Sequence, residues 1–516
     1  MAIKRYKADM DNTIVNAYQS NLQTRGTGSN AGQADIVEVF SIFGRQQASS
    51  SAATGSQELS RVLMRFPVSD ITADRAASKI PALGKVSFYL RLFDAKTSKT
   101  VPRNYKLVVQ AVSRSWEEGD GLDLENYSDL TKNGSGSNWI RASKAEAWSN
   151  VGGDYHADPT FAQYFTGGLG DVDIDITSLV EQWITGSKSN YGVGIRLTAS
   201  NEAYFSNSAG IDSGSVIQNP NGAKKSYYTK RFFARGSQYF FKRPVIEARW
   251  DSTTKDDRGA FYFSSSVATK SENKNTLYYY NYVRGRLRNI PGIGTSNIFV
   301  SLYSGSKDDS GPAGAKLFLD DGDALQSMVG GWIKTGIYTC SVALTKSLSN
   351  PLKTVYDVWH NNSGSEYFTG SIKPLTLQGA SHAREPTYYL SITNLQNSYM
   401  KDQTARFNLF VREKNWSPTI YTKAIANAPT KTIYSASYRV VRTIDGFEAI
   451  PFYTASNRHN ATGLSYDVSG NYFDLNMNLL EPGYEYAFKF AFYDDELGSW
   501  QEQNEEFKFR VEDYEY

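Results

Sequence analysis

A single cysteine, Cys340, is all the thiol chemistry that 516 residues provide. That excludes an intramolecular disulfide framework and any cysteine-rich zinc site. Histidine is nearly as scarce: the four are His156, His360, His382 and His459, and none stands in a context that would complete a Ser-His-Asp triad. An excess of one charge is also missing. Against 55 Lys plus Arg stand 53 Asp plus Glu, so nothing global points to a nucleic acid or an acidic membrane as partner. No run approaches the roughly 18 apolar residues of a membrane span. The opening "MAIKRYKADMDNTIVNAY" has charge but no apolar run after it, which is not the pattern of a signal peptide. The expectation is a chain made in a cytoplasm and soluble there, with no membrane partner and no specific nucleic acid.

Aromatic residues, by contrast, are abundant: 35 Tyr, 27 Phe and 9 Trp. Many fall at alternate positions, as strands require. In "GYEYAFKFAFYDD", Tyr484, Tyr486, Phe488, Phe490 and Phe492 share one parity. "EFKFRVEDY" repeats the pattern with Phe507, Phe509 and Val511. In "KVSFYLRLFDA", Val86, Phe88, Leu90 and Leu92 take one face, and Tyr89 and Arg91 the other. Gly, Ser, Asn and Asp cluster between such runs. One stretch departs from the alternation. "ITSLVEQWITGSKSNYGVGI" (176–195) opens like a helix, with Ser178 and Glu181 at capping-box spacing. Leu179, Val180 and Trp183 share its apolar face, and Gly186 is placed to end it.

The reading is therefore an all-β chain with few helices. Polar breaks near 251–260 and 371–390 divide it into domains 1–250, 251–375 and 376–516, each large enough for a β-sandwich. The first break reads as a linker, and "QQASSSAATGSQ" (46–57) as an exposed loop.

"DDSGPAG" (308–314) has the wrong flanks for a serine nucleophile and reads as a surface turn. No Gly-x-Ser-x-Gly elbow occurs. "RGTGSNAG" (25–32) fits neither a Walker loop nor a dinucleotide fingerprint. In "GGDYHADP", Asp154, His156 and Asp158 alternate, so an extended backbone would project all three to one side as two carboxylates and an imidazole for a metal; a polar loop gives the same spacing. "WEEGDGLD" offers Glu117, Glu118, Asp120 and Asp123, hard oxygen ligands for calcium or merely solvated turn carboxylates. "AKKSYYTKRFFARGSQYFFKRP" (223–244) carries seven basic residues, seven aromatics and no acid. It is either a basic aromatic surface for phosphate or single strands, or a hairpin with aromatics inward and cations facing water or an acidic neighbour. No catalytic, cofactor-binding or metal residue is assigned, and no enzyme and no cofactor is expected.

Seven pieces in order over the first 250 residues resemble the DNRLRE family of β-sandwich modules: "DNTIVNAY", "GSNAGQADIVEV", "LSRVLMRFPVSDI", "IPALGKVSFYLRLFDA", "SRSWEEGDGLD", "DIDITSLVEQWITGSKSNYGVGIRL" and, as closing strands, "AYFSNS" with "KRPVIEARW". The third piece matches that family's strand ending in Phe followed by a short loop. This resemblance implies an N-terminal jelly-roll β-sandwich with one short helix, whose Trp183 plugs the core instead of holding a ligand. "LLEPGYEYAFKFAF" resembles the tyrosine-corner region of Ig-like and fibronectin type III-like sandwiches. "GIYTCSVAL" and "VYDVWHNNSGSEYFTGSIKP" give the middle domain an Ig-like look as well. The whole chain is similar to virion structural proteins of contractile-tailed marine phages, on "MAIKRY" and "NLQTRGTGSNAGQADIVEVFSIFG" (21–44). That similarity implies a non-enzymatic structural component of the virion, assembled in the host cytoplasm: neck, tail, short fibre or capsid decoration. Its partners would be other virion proteins, met through the first domain, with self-association left open. The alternative is a glycan-binding adhesin, for which exposed Trp139 and Trp148 of the long insert would stack on sugar rings; the favoured reading of the two is that they pack the insert onto the first sandwich.

Overall fold

The computed structural model describes residues 2–18, 25–45, 55–97, 102–122, 136–206, 216–224, 226–305, 310–319, 325–346, 352–375, 387–414, 430–454 and 460–514. Strands dominate, and two α-helices occur among the described residues. Both helices lie in the N-terminal unit. Its elements are β1 (Ile3–Lys7), β2 (Met10–Val15), β3 (Ile36–Arg45), β4 (Gly55–Arg65), α1 (Val68–Ala76), β5 (Ser87–Leu92), β6 (Tyr105–Val112), β7 (Tyr155–Phe165), β8 (Val172–Asp175), α2 (Thr177–Thr185), β9 (Val193–Leu197), β10 (Tyr227–Phe233) and β11 (Val245–Arg249). They make a four-stranded sheet, β1-β11-β5-β8, and a larger sheet, β10-β3-β4-β9-β6-β7, with β2 beside β4. The alternating apolar residues meet between them: Phe88, Leu90 and Leu92 of β5 pack with Val62, Met64, Val109 and Ile195.

Helix α2 seats Leu179, Val180 and Trp183 in that core, and Gly186 ends it in the left-handed conformation at φ +73°. Trp183 is thus a packing residue. The expected capping box is not formed. The helix starts at Thr177 with no side-chain cap, and Asp175 accepts from the Thr177 N–H and hydroxyl at 2.9 and 2.6 Å. Glu181 is taken instead by Arg75 of α1, with both carboxylate oxygens at 2.6 Å. A bidentate charge-assisted pair outcompetes a neutral cap. The presence of α1 corrects the expectation of a loop after Phe66. Ile71 and Val68 of this helix are buried in the core and Arg75 in its last turn ties it to α2.

The middle unit is one sheet folded on itself, in the order Asn275–Tyr280, Ile337–Val342, Met328–Lys334, Ile298–Gly305, Val355–His360, Glu366–Ile372. The strand Met328–Lys334 pairs Ile298–Gly305 through Gly330 and Ile337–Val342 from Gly331 onward, so the fold line falls between two glycines. A Cβ at Gly330 would lie 2.5 Å from the Thr339 carbonyl oxygen; only glycine fits there. The C-terminal unit stacks the sheet Tyr388–Ile392, Thr404–Glu413, Gly470–Asn476, Ser465–Asp467 on the sheet Ser398–Met400, Phe507–Glu512, Glu485–Asp494, Ala436–Arg442, Glu448–Ile450. The Tyr486 hydroxyl donates to the Glu481 carbonyl and accepts from its N–H, both at 2.9 Å, which makes the tyrosine corner. Each unit has its own apolar cluster.

The units are not beads on a string. Ala2 and Ile3 belong to the apolar cluster of the C-terminal unit. The segment after Trp250, expected as a linker, is pinned to that unit too: Asp256 N–H donates to Tyr466 O, and Tyr466 N–H to Thr254 O, both at 3.0 Å. No helix among the described residues is long and apolar enough to cross a membrane.

Candidate functional site at the interdomain seam

The outward parity of the four-stranded sheet carries Arg5 on β1, Glu247 and Arg249 on β11, Tyr89 and Arg91 on β5, and Asp173 on β8. Register sets Arg5 opposite Glu247, Glu247 opposite Tyr89, and Arg91 opposite Asp173. On a solvated face these would be ordinary surface residues. Here Tyr89, Arg91, Glu247 and Arg249 are all buried, because the C-terminal unit covers them. Glu247 accepts from Arg5 Nε at 2.7 Å, Arg91 Nη1 at 3.3 Å, Arg249 Nε at 2.7 Å and the Tyr453 hydroxyl at 2.8 Å. Arg249 also donates to Asp173 at 2.7 Å. Its guanidinium lies between the rings of Tyr89 and Tyr453, at 4.0 and 3.9 Å from their centroids. Arg5 reaches across to the carbonyls of Ala449 at 2.8 Å and Leu479 at 3.2 Å.

Burial alone would raise the Glu247 pKa, yet Arg249, Arg91 and Arg5 hold it well below the ordinary carboxylate range. Burial pushes the Tyr453 hydroxyl up, so that hydroxyl stays a donor. Every charge on this seam has a partner, as burial demands. Such an arrangement clamps; it offers no vacant position for a substrate. Between the middle and C-terminal units, Asp257 accepts from the Thr276 N–H at 2.7 Å and from the Tyr466 hydroxyl at 2.8 Å. It lines an open cleft of about 380 Å³ with Asp251, Thr253 and Lys255.

The sequence candidates fall elsewhere. Asp154 accepts from the N–H groups of Ser149 and Asn150 at 2.8 Å and lies 3.5 Å from Arg114. It shapes a turn beside a shallow cleft of about 420 Å³. Asp158 is exposed, and no group of three His, Cys, Asp or Glu side chains is placed to hold a metal among the described residues. Glu117 accepts from the Gly136 and Lys144 N–H groups, whereas Glu118 is bound by Arg235 at 2.5 and 2.6 Å and accepts from the Asp11 N–H. Asp123 lies outside the described residues, as do His382 and His459.

His360 is buried, 2.8 Å from the Ser301 hydroxyl and with Nδ1 2.7 Å from the Asn361 carbonyl. A carbonyl in the place of the triad carboxylate fixes the ring but cannot stabilise an imidazolium as a carboxylate does. Of the surface turn expected at 308–314, residues 308 and 309 lie outside the described residues, Ser310 and Gly311 form a bend, and Pro312–Gly314 instead open the strand Pro312–Lys316. The turn at 25–32 is a plug: Asn30 donates to the Glu118 and Ser137 carbonyls at 2.7 Å.

Trp139 and Trp148 are buried against Leu59, Leu63 and Trp116, so they pack the insert onto the first unit, the favoured reading, and the sugar-stacking alternative that needed them exposed does not hold. The indole of Trp148 donates to the Asn138 carbonyl at 2.8 Å. In the basic stretch, Lys230 is buried on Asp94, Arg231 pairs Glu38 at 3.2 Å, and Arg235 pairs Glu118. Phe232 lies in the core, while Tyr239 and Phe240 are exposed.

Neither a family model nor a curated protein matches the chain. Among solved structures it is similar to a tandem of titin Ig domains, at 10% identity, TM-score 0.14, 42% of this chain and 80% of that one. A chimeric titin Z1Z2 tandem matches at 14% identity, TM-score 0.14, 47% of this chain and 91% of that one. A DUF4785 family protein from Legionella pneumophila matches at 9% identity, TM-score 0.12, 98% of this chain and 90% of that one.

The seam itself went unread in the sequence. Its signal was present: "FYLRLF" and "VIEAR" put Tyr, Arg and Glu at the outward parity of strands that are otherwise apolar.

Proposed function

We propose that the chain is a non-enzymatic structural component of a bacteriophage virion, acting as a rigid three-unit scaffold that meets other particle proteins. The observation that carries the reading is the seam. Arg5, Arg91 and Arg249 converge on Glu247 within the N-terminal unit, and the C-terminal unit closes over them through the Tyr453 hydroxyl and ring and the Ala449 and Leu479 carbonyls. A chain that commits its buried charge to fixing domain geometry is suited to transmitting shape and load. The whole-chain similarity to virion structural proteins supplies the setting. Neck, tail, short fibre and capsid decoration remain alternatives within it, and docking through the N-terminal unit goes with it. Mass spectrometry of purified virions tests the proposal: the protein is expected among their components, and its absence would overturn the assignment. The glycan-binding alternative loses its proposed platform with the burial of Trp139 and Trp148.

A further inference from the structure

The chain is nearly neutral, yet two stretches of its middle unit hold no acid. Residues 273–307 carry five basic residues and residues 324–356 carry three, with no Asp or Glu in either. The two stretches meet at Asn289, whose Oδ1 accepts from the Trp332 indole N–H at 3.0 Å and from the Gly336 N–H at 2.8 Å. Beside it stands a short hairpin, Tyr282–Val283 paired with Arg286–Leu287. Its tip is Arg284 and Gly285, at φ +50° and +74°, the tight two-residue turn that matches strand twist. Register puts Arg286 on the face of Val283. The Arg288 N–H donates to the Asn281 carbonyl at 3.0 Å and continues the pairing, so Arg288 shares that face.

Arg284, Arg286, Arg288 and Lys334 are all exposed, and none has a carboxylate in ion-pairing reach among the described residues. Arg406, also exposed, pairs with Asp474 at 2.9 Å. Three guanidinium groups and an ammonium with no acid among them sustain a local positive field whatever the net charge of the chain. Trp332 is 37% exposed, and its bond to Asn289 holds the ring in place at the edge of this cluster. Guanidinium groups pair bidentately with phosphate, and a fixed aromatic ring gives a base something to stack on. The cations follow one strand at two-residue spacing, which suits a linear polyanion better than a compact acidic patch. The stretch 223–244 has no such surplus of arginine and lysine at Lys230, Arg231 and Arg235, which are taken by Asp94, Glu38 and Glu118.

We propose that the arginine hairpin 282–288, with Lys334 and Trp332, binds single-stranded nucleic acid through its phosphates and the face of a base. Contacts of this kind carry no sequence code, so the binding is sequence-independent. The inference goes beyond the virion assignment and is tested in solution, so each can fail separately.

The test is fluorescence anisotropy with the purified full chain and a labelled oligo(dT) of about 20 nucleotides, longer than the ~4–16 that such a site covers. Binding is expected in about 0.05 M salt and should weaken as salt rises, with a log–log slope of about −0.7 for each phosphate neutralised. Arg286→Ala/Arg288→Ala should weaken it about tenfold or more and flatten the slope by about 1.4. Those two side chains have no partner among the described residues, so the melting temperature should stay where it is, and this pair guards against misfolding of the tryptophan variant. Trp332→Ala should weaken binding about fivefold or more with the slope unchanged, and Trp332→Phe should recover most of that loss. A wild type that does not bind at low salt, or binding that survives the loss of both arginines, would overturn the proposal. Displacement by poly-glutamate as effective as by unlabelled oligo(dT), with Trp332→Ala without effect, would overturn it in favour of an acidic protein surface.

Discussion

Two buried carboxylates in the same unit have opposite fates, and the difference is the number of cations around each. Glu247 faces three guanidinium groups and is held well below its ordinary value. A depressed carboxylate contributes stability that is fully present above its unfolded pKa of 4.5 and is lost as pH falls through the folded value. The seam should therefore hold through neutral and mildly acidic pH and open only in stronger acid. Asp11 is buried too, but its one oxygen accepts from the Arg235 N–H at 2.6 Å and its other has no partner among the described residues. Burial, with Glu118 adding to it against the pull of Arg235, raises Asp11 from 3.8 to about 7. The folded state thus holds the proton between those values, and stability falls as pH rises across that window, by up to about 4 kcal/mol. Asp11→Asn should flatten this part of the profile and stabilise the protein above pH 7. Chemical denaturation across the pH range checks it; an unchanged slope would mean that Asp11 does not carry the effect.

At the scale of elements, α2 and the glycine fold line make separate predictions. Trp183 buries its ring in the core, but its indole N–H has no partner among the described residues. Trp183→Phe should then cost only about 1 kcal/mol, whereas Trp183→Ala should cost about 3–5 kcal/mol through the cavity it leaves. Equal losses for the two, by equilibrium unfolding, would point to a hidden polar role. Gly330→Ala should cost about 1–3 kcal/mol, because the added methyl meets the Thr339 carbonyl and the Cys340 side chain. Much at this scale was legible in the sequence. The alternation in "FYLRLF" and "EYAFKFAF" marked real strands, Trp183 and Gly186 marked a real helix, and Tyr486 marked its corner. Helix α1 was not legible, since the bond that holds Arg75 to Glu181 spans a long stretch of chain. The packing of Trp139 and Trp148 was the favoured reading on residue type alone, but which face they pack was not legible, because an insert rich in Gly and Ser gives no period.

For the whole molecule, the same limit explains why the seam was missed. Tyr89 and Arg91 alternate with apolar residues as if facing water, and only the third unit folding back turns that face into an interior. The consequence is that the units depend on one another. A fragment ending near residue 375 lacks Tyr453 and leaves Arg5, Arg91, Glu247 and Arg249 without their cover, so its N-terminal unit should melt well below that of the full chain in calorimetry. Glu247→Gln should do the same within the intact chain, costing about 3–5 kcal/mol by leaving buried guanidinium groups uncompensated.

The measurement that bears most directly on the central claim is the distance between units in solution. Cys340 is buried and its thiol is pushed up to about 12 by burial, so spin labels go selectively to introduced surface cysteines. Leu83→Cys on the N-terminal unit and Ile444→Cys on the C-terminal unit, both at exposed positions, make a suitable pair for pulsed electron–electron distance measurement at neutral pH. A clamped seam predicts one narrow distance distribution that broadens when Glu247→Gln is added. A broad distribution in the otherwise native chain would show units that swing freely and would contradict the rigid scaffold.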